Sequence, residues 1–329
     1  MSAAPKRRYT NTPVRVHNID VEPGTRKRID LPVARLYTQT QLSLPVEVIN
    51  GVKPGPRIWL SAAIHGDELN GMEIIHRVVQ KLDPGKLRGE VIAAPIVNVF
   101  GFIHQTRYLP DRRDLNRAFP GSKRGSLTSR LAYLFMNEVV GRCTHGIDLH
   151  TASNHRTNLA QVRGDLRDTE TMRMARAFAA PILIQGDAPK GSLRESVAKR
   201  GVPIITYEAG EPHRFNNDAI DLGVKGVLRV MADLGMRGKP SATNRSSMEA
   251  GDRTWVRARR SGILRLQTGL GRWVSKGDRI AVIHDAFGDH ERVHLAPTDG
   301  LVIGHTNHPL VNQGDAIIHL AHDMTTHQV

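Results

Sequence analysis

Residues 57–97 read RIWLSAAIHGDELNGMEIIHRVVQKLDPGKLRGEVIAAPIV. Two short apolar runs, RIWLSAAI and EVIAAPIV, flank a stretch from about Glu68 to Leu82 in which apolar residues recur at helical spacing. Strand, helix, strand is the grammar of a parallel pair joined by a crossover. Working outward, the pattern continues as a helix over 127–140, the strand GIDLH at 146–150 and a helix over 169–179. The strand PILIQ, a helix near 192–200 and the strand VPIITYE at 202–208 close the series. Apolar strands alternating with helices predict an α/β fold whose mixed, mostly parallel sheet is covered on both faces. Upstream, segments 33–38 and 43–50 read as a hairpin, so residues 1–50 form a β extension ahead of an α/β domain at 51–236.

Residues 236–252, MRGKPSATNRSSMEAGD, are poor in apolar side chains and predict an exposed linker. Beyond it the helical period disappears. Short strands (TWVRA, GILRLQ, RIAVIHD, RVHLA, GLVIGH, AIIHL) separated by Gly-Asp, Pro and Asn predict an all-β domain at 250–329. Within it Val274-Ser275-Lys276-Gly277-Asp278 is echoed by Val311-Asn312-Gln313-Gly314-Asp315, as in the halves of a pseudo-symmetric sandwich. The echo resembles the barrel-sandwich of lipoyl and biotinyl domains. No lysine follows Lys276, so a swinging-arm carrier is excluded.

The 329 residues are 40% apolar, enough for a sizeable core, with no run of 18 apolar residues and no apolar segment behind MSAAPKRRYT. No membrane partner and a cytoplasmic location are the expectation. The single cysteine, Cys143, excludes an internal disulfide and a multi-thiolate metal site. The formal charge of +14 would concentrate anionic partners. Basic residues occur in short scattered runs without interleaved aromatics, which are 5% of the chain, so nucleic acid is not expected as the ligand. A homo-oligomer is compatible with this composition.

Chemistry concentrates at strand ends. In Ala63-Ile64-His65-Gly66-Asp67-Glu68 an apolar strand meets a glycine turn and a helix start, placing His65 and Glu68 beyond the strand's carboxyl end, where open α/β sheets bind ligands. With 16 histidines in the chain, a lone His-x-x-Glu reads equally well as a surface turn. A second strand ends in Asp148-Leu149-His150. His65, Glu68 and His150 would give three protein ligands and one open position, the pattern of a catalytic zinc site, although two histidines and a carboxylate also accept Co²⁺, Mn²⁺ or Fe²⁺. Asp148 either orients a ligand or caps a neighbouring loop. Hydrolysis needs a base as well, and Glu208, at the end of a third strand, is the candidate; the alternative is an exposed loop carboxylate. The loop at 106–121 carries Arg107, Arg112, Arg113 and Arg117, a set suited to anion recognition or to an oxyanion, or else to a solvated loop. There is no G-x-S-x-G elbow, no Walker A loop and no G-x-G-x-x-G after a strand.

Together, IHGDE at 64–68, DLNR at 114–117, DLH at 148–150 and YEAG at 207–210 resemble the succinylglutamate desuccinylase/aspartoacylase family of zinc carboxypeptidase-like hydrolases, over roughly 57–235 plus a β domain. The resemblance implies a zinc-carboxypeptidase-like α/β fold with a C-terminal barrel-sandwich-like domain. It implies one Zn²⁺ per chain on His65, Glu68 and His150, with Glu208 as general base. It also implies Asn116 and Arg117 on the substrate carboxylate, an arginine polarising the scissile carbonyl, and Arg194 near the substrate. The reaction would be hydrolysis of a small anionic N-acyl (acetyl or succinyl) amino acid or diamino acid. Here the arginine stretch, RYLPDRRDLNR, is two residues longer than the family's usual form, so the oxyanion role falls on Arg107, Arg112 or Arg113; the retained Arg-Tyr pair favours Arg107. The longer form is similar to bacterial members that deacylate acetylated diamino acids. A metallocarboxypeptidase acting on peptides and a non-catalytic binding protein are the competing readings.

Overall fold

The computed structural model describes residues 11–238 and 246–328. A twelve-stranded mixed sheet organises them. From edge to edge its strands are Trp273–Val274, Gly300–Thr306, Ala316–Gln328, Ser246–Arg257, Ile182–Gln185, Arg156–Gly164, Ile204–Gly210, His145–His150, Lys53–Ala62, Arg88–Ala94, Gln41–Asn50 and Thr25–Arg35. The four strands from Ile204–Gly210 to Arg88–Ala94 are mutually parallel. Antiparallel pairs extend the sheet from that centre: Arg156–Gly164 on one side and the hairpin Thr25–Arg35/Gln41–Asn50 on the other. The N-terminal hairpin is longer than expected, and residues 36–38 form its turn instead of a strand.

Side-chain alternation along the central strands decides what faces where. Ile58, Leu60, Ile147, Leu149, Ile205 and Tyr207 join one buried cluster with Ile74, Val78, Met174 and Val227. These come from helices Asn70–Gln80, Thr169–Phe178 and Asn217–Asp233. Trp59 and Ile204 point the other way, into a second cluster with Phe135 of Leu127–Glu138 and Val197 of Leu193–Ala198. Asp148, His150, Thr206 and Glu208 share that second direction at the strands' carboxyl ends, where no helix covers them. Among the described residues five α-helix starts are capped by side chains: Asn98, Ser126, Asp168, Ser192 and Asn216 each accept a hydrogen bond from the backbone N–H three residues on.

Helix Asn217–Asp233 lies between the strand expected at 202–208 and the expected linker, where the sequence reading placed no element. Its Gly223 and Gly226 weaken the helical signal. Both are closest-approach points: a Cβ at Gly223 would sit 2.4 Å from Ile74 Cδ1, and one at Gly226 would sit 2.4 Å from Phe178 Cε1. The linker expected over 236–252 is also corrected. Residues 239–245 lie outside the described residues, but Ser246–Arg257 is a strand pairing with Ile182–Gln185 and Ala316–Gln328. Backbone pairing needs no apolar run, and Ser247, buried, donates its hydroxyl to the Ala180 carbonyl at 2.6 Å.

A four-stranded sheet (Arg292–Leu295, Arg279–His284, Gly262–Leu266, Leu310–Val311) faces the C-terminal end of the large sheet across a shared apolar cluster. The repeated five-residue motifs adopt the same turn. Gly277 and Gly314 have φ of +94° and +92°, a region that favours glycine. Asp278 and Asp315 each accept the backbone N–H three residues back at 2.8 Å. Gly277 N donates to the Ala296 carbonyl and Ala296 N to the Asp278 carbonyl, as Gly314 N donates to the Ala258 carbonyl and Ala258 N to that of Asp315.

Candidate active site

The strand Lys53–Ala62 ends at Ala63, whose φ of +49° turns the chain so that His65 and Glu68 follow within one tight loop. Gly66 is obligatory there, because a Cβ would lie 1.9 Å from the Gly101 carbonyl carbon. The Glu68 carboxylate bridges the two histidines, with Oε1 2.7 Å from His65 Nδ1 and Oε2 2.7 Å from His150 Nδ1. Thr151 N donates to Oε2 at 3.1 Å. Each imidazole is gripped on its far nitrogen by another carboxylate. Asp148 Oδ2 is 2.8 Å from His150 Nε2, and Asp114 Oδ1 is 3.2 Å from His65 Nε2. Ser61 in turn donates to Asp148 Oδ1 at 2.7 Å. Asp148 therefore orients a histidine and caps no loop.

His65, Glu68 and His150 are all buried, and their ligand atoms lie within 4.8 Å of one another. One point then lies within about 2.8 Å of all three, close to the roughly 2.0–2.2 Å bonds zinc makes to nitrogen and carboxylate oxygen. Charge gives an independent test of the fit. Burial opposes the charged form of His150, yet Asp148 and Glu68 outweigh it and hold its pKa well above the ordinary value. His65 is raised in the same way, with Glu68 and Asp114 overcoming burial. Glu68 and Asp114, despite burial, are held below the usual carboxylate range by the imidazoles, with Arg107 adding to the effect on Asp114. The three carboxylates thus retain protons on two histidines, and exchanging those two protons for one divalent cation leaves the net charge unchanged. The donor set fits a divalent metal.

Glu208 sits directly beside His150 in the parallel register of their strands. Its Oε2 accepts from Asn158 Nδ2 at 3.1 Å and pairs with Arg163 Nη2 at 3.2 Å. Both partners come from the strand Arg156–Gly164, which the sequence reading did not anticipate. Two of its four buried positions, Asn158 and Gln161, are polar, so it has no apolar period; the available signal was the clustering of Arg156, Asn158 and Arg163 just after DLH.

A cavity of about 250 Å³ connects these groups and is also lined by Arg107, Asn116, Arg117 and Arg194. Arg107 donates from Nε and Nη2 to Asp114 Oδ2, and its Nη1 lies 3.5 Å from Glu68 Oε1. Asn116 is fixed by its amide oxygen, which accepts from Leu193 N at 2.9 Å. Arg194 donates Nη2 to the Asp187 carbonyl at 3.2 Å while its buried Nη1 has no partner. Arg112 and Arg113 are exposed and outside the cavity lining. The reason is Asp111, which binds the backbone and hydroxyl of Thr128 and turns the two following arginines outward. The structure thus places Arg112 and Arg113 away from the cavity, with Arg107 the one of the three beside Glu68.

The chain also carries His290-Glu291-Arg292-Val293-His294, an H-E-x-x-H spacing not counted among the candidates above. That motif binds metal when a helix puts both histidines on one face. Here it runs into the strand Arg292–Leu295; Glu291 pairs with Arg279, and His294 Nε2 accepts the Arg259 N–H. Among the described residues, His65, Glu68 and His150 are the one His/Cys/Asp/Glu group arranged to hold a metal, and no helix is long and apolar enough to cross a membrane.

Comparison with known proteins agrees with this geometry. The succinylglutamate desuccinylase/aspartoacylase catalytic domain matches residues 54–234. The N-alpha-acetyl-L-2,4-diaminobutyric acid deacetylase of Halomonas elongata is 26% identical over 293 residues, 84% of this chain and 85% of that protein. A succinylglutamate desuccinylase of Pseudomonas aeruginosa is 29% identical over 144 residues, 40% of this chain and 42% of its own. Among solved structures, a succinylglutamate desuccinylase/aspartoacylase from Rhodobacter sphaeroides superimposes with a TM-score of 0.82 at 25% identity, covering 96% of this chain and all of its own. The product-bound ectoine utilization protein EutE (DoeB) from Ruegeria pomeroyi shares the fold, with a TM-score of 0.84 at 22% identity over 94% of this chain and 99% of its own. The protein belongs to the succinylglutamate desuccinylase/aspartoacylase family.

Proposed function

We propose that the protein is a zinc-dependent deacylase that hydrolyses the amide bond of a small N-acyl amino acid, acetyl or succinyl, to a carboxylic acid and an amine. The observation that carries this reading is the convergence, at neighbouring strand ends, of the His65–Glu68–His150 donor set with a carboxylate, Glu208, in register beside His150. Bound by those three residues, one zinc ion per chain supplies Lewis acidity toward the amide carbonyl and makes water a stronger acid. Glu208 takes the proton of the attacking water and delivers it to the leaving nitrogen. Asn158 and Arg163 both hold Oε2 of Glu208, so the other oxygen is the one left to carry that proton. Arg107, anchored on Asp114, stabilises the charge that develops on the carbonyl oxygen. Asn116, Arg117 and Arg194 receive the carboxylate of the substrate. A cavity of about 250 Å³ suits a single acylated amino acid better than a peptide.

The test is metal content by mass spectrometry of the wild type and of His65→Ala, with amine release measured on N-acetyl and N-succinyl amino acids and on a blocked dipeptide. The proposal expects about one zinc per chain, lost together with hydrolysis in the variant, and no cleavage of the peptide. Full activity without metal, or cleavage of the dipeptide in preference to every acyl amino acid, would overturn it.

A further inference from the structure

The metal-ligating histidines and the base lie on different strands, so their separation depends on what joins the loops beyond the strand ends. On one side, the strand of Glu208 is held in parallel register with His145–His150 as far as the pair Glu208–His150. On the other side, its register with Arg156–Gly164 shifts between Glu208 and Gly210. The ladder is therefore irregular at the base itself. Residues 211–216 then run without regular structure to the capped start of helix Asn217–Asp233.

One side chain spans this gap. Asn70, two residues after Glu68 and the first residue of helix Asn70–Gln80, is only 1% exposed. Its Nδ2 donates to the Ala209 carbonyl at 3.0 Å, and its Oδ1 accepts the Asn216 N–H at 3.0 Å. Asn70 thus joins the loop that carries His65 and Glu68 to the residue after Glu208 and to the far end of the segment behind it. An amide is needed for both bonds, since a carboxylate cannot donate and an apolar side chain would leave a buried carbonyl and N–H without this partner. Glycines permit the approach. A Cβ at Gly210, whose φ is +76°, would sit 2.8 Å from Asn70 Nδ2, and one at Gly71 would sit 2.7 Å from the Cβ atoms of Ala62 and Leu149. Two backbone bonds complete the ring of loops: His213 N donates to the Asp67 carbonyl at 2.8 Å, and Ala152 N to the Gly210 carbonyl at 3.1 Å.

We propose that Asn70 is a positioning residue that sets where Glu208 stands relative to the metal ligands. The inference rests on the deacylase reading and adds to it a side chain outside the cavity lining, which acts through Ala209 and the 209–216 segment. A catalytic group displaced by about 1 Å costs about 100-fold in rate, so a tie of this kind has a large lever. Through the same bonds, the 209–216 segment becomes more ordered when Glu68 is held by a metal.

The test compares wild type, Asn70→Ala, Asn70→Asp and Asn216→Ala. The readouts are hydrolysis of an N-acetyl or N-succinyl amino acid by zinc-loaded protein, zinc content, thermal melting, and amide hydrogen exchange with and without zinc. Asn70→Ala should lose about 10–100-fold in kcat while KM changes by less than about threefold and zinc content stays at the wild-type level. Zinc should slow exchange of the Asn216 amide in wild type, and in Asn70→Ala that amide should exchange faster and no longer respond to zinc. Asn70→Asp keeps an acceptor for the Asn216 N–H but has no donor for Ala209, so it should lose kcat while the Asn216 amide stays protected; if Asn70→Ala does not fold, this variant decides by the same criteria. Asn216→Ala removes the cap bond from the Ala219 N–H and leaves both Asn70 bonds in place, so it should melt lower than wild type and keep kcat within about twofold. The assignment is overturned if Asn70→Ala keeps its kcat, if it loses zinc and activity together, or if Asn216→Ala loses as much kcat as Asn70→Ala. Wild-type protein that turns over no N-acyl amino acid, while zinc protects the Asn216 amide in an Asn70-dependent way, would support the tie and overturn the deacylase reading instead.

Discussion

The two ends of the cavity treat charge in opposite ways. At the His65–His150 end the charges are paired: Glu68 lies between the imidazoles, Asp148 and Asp114 sit on their far nitrogens, and Arg107 sits on Asp114. At the Arg156–Arg194 end guanidiniums outnumber carboxylates, and among the described residues only Arg163 pairs with one, that of Glu208. Arg156 and Arg194 are half-buried and Arg117 is exposed, so their guanidiniums are accessible to an anionic ligand. The first end keeps its net charge once a cation replaces two protons, whereas the second carries a surplus of positive charge. On the proposed function, the contrast divides residues that would hold the metal from residues that would meet the substrate, and it can be attacked from either side.

The largest effect should come from the residue at the junction. Glu208→Gln keeps the size of the side chain and its contact with Asn158 or Arg163 while removing the base. Its kcat should fall by about 10²–10⁴-fold with zinc content unchanged. A variant that loses metal instead would move Glu208 into the first end. Arg107→Ala comes next, with a loss of about 10²–10³-fold in kcat on every acyl amino acid, read by steady-state kinetics. Arg112→Ala and Arg113→Ala should change kcat/KM by less than about twofold, because both side chains point to solvent. The reverse order would return the oxyanion role to the outward-facing pair.

Asp148→Asn sharpens the comparison from the metal side. It removes the carboxylate from His150 Nε2, and zinc affinity should fall by about 10–100-fold, measured by competition with a chelator. Proton competition gives the pH dependence of the same site. Asp148 and Glu68 raise the pKa of His150 against burial, so metal-free protein holds its proton to a higher pH than an ordinary histidine of 6.5. Zinc must displace that proton, and its affinity should fall as pH drops through the raised value. Stability of the metal-free protein runs the other way: the contribution from His150 is fully present below 6.5, the unfolded value, and is lost as pH rises through the folded pKa. Chelator competition and thermal melts of metal-free protein across this window measure the two trends, and parallel slopes would contradict the exchange of protons for metal.

How much of this could be read from the sequence follows the same division. The metal end was legible because His65, Glu68, His150 and Glu208 each stand where an apolar strand stops, a pattern visible in one dimension. The opposite end was not. Arg156, Asn158 and Arg163 lie on a strand with no apolar period, and Trp255 falls in the strand TWVRA, read as part of a separate β domain. Only sheet pairing, Arg156 with Thr306 and Trp255 with His319, brings them to the cavity. Helix Asn217–Asp233 was hidden for a related reason: its glycines serve contacts with Ile74 and Phe178 that the local sequence cannot reveal.

The central claim is that one metal ion on His65, Glu68 and His150 drives hydrolysis of small N-acyl amino acids. Its most direct test is to add zinc stepwise to metal-stripped protein while following amine release from the best N-acyl probe. The account predicts that activity rises linearly to one equivalent and then stays level. Activity that is present before zinc is added, or that does not respond to it, would contradict the account.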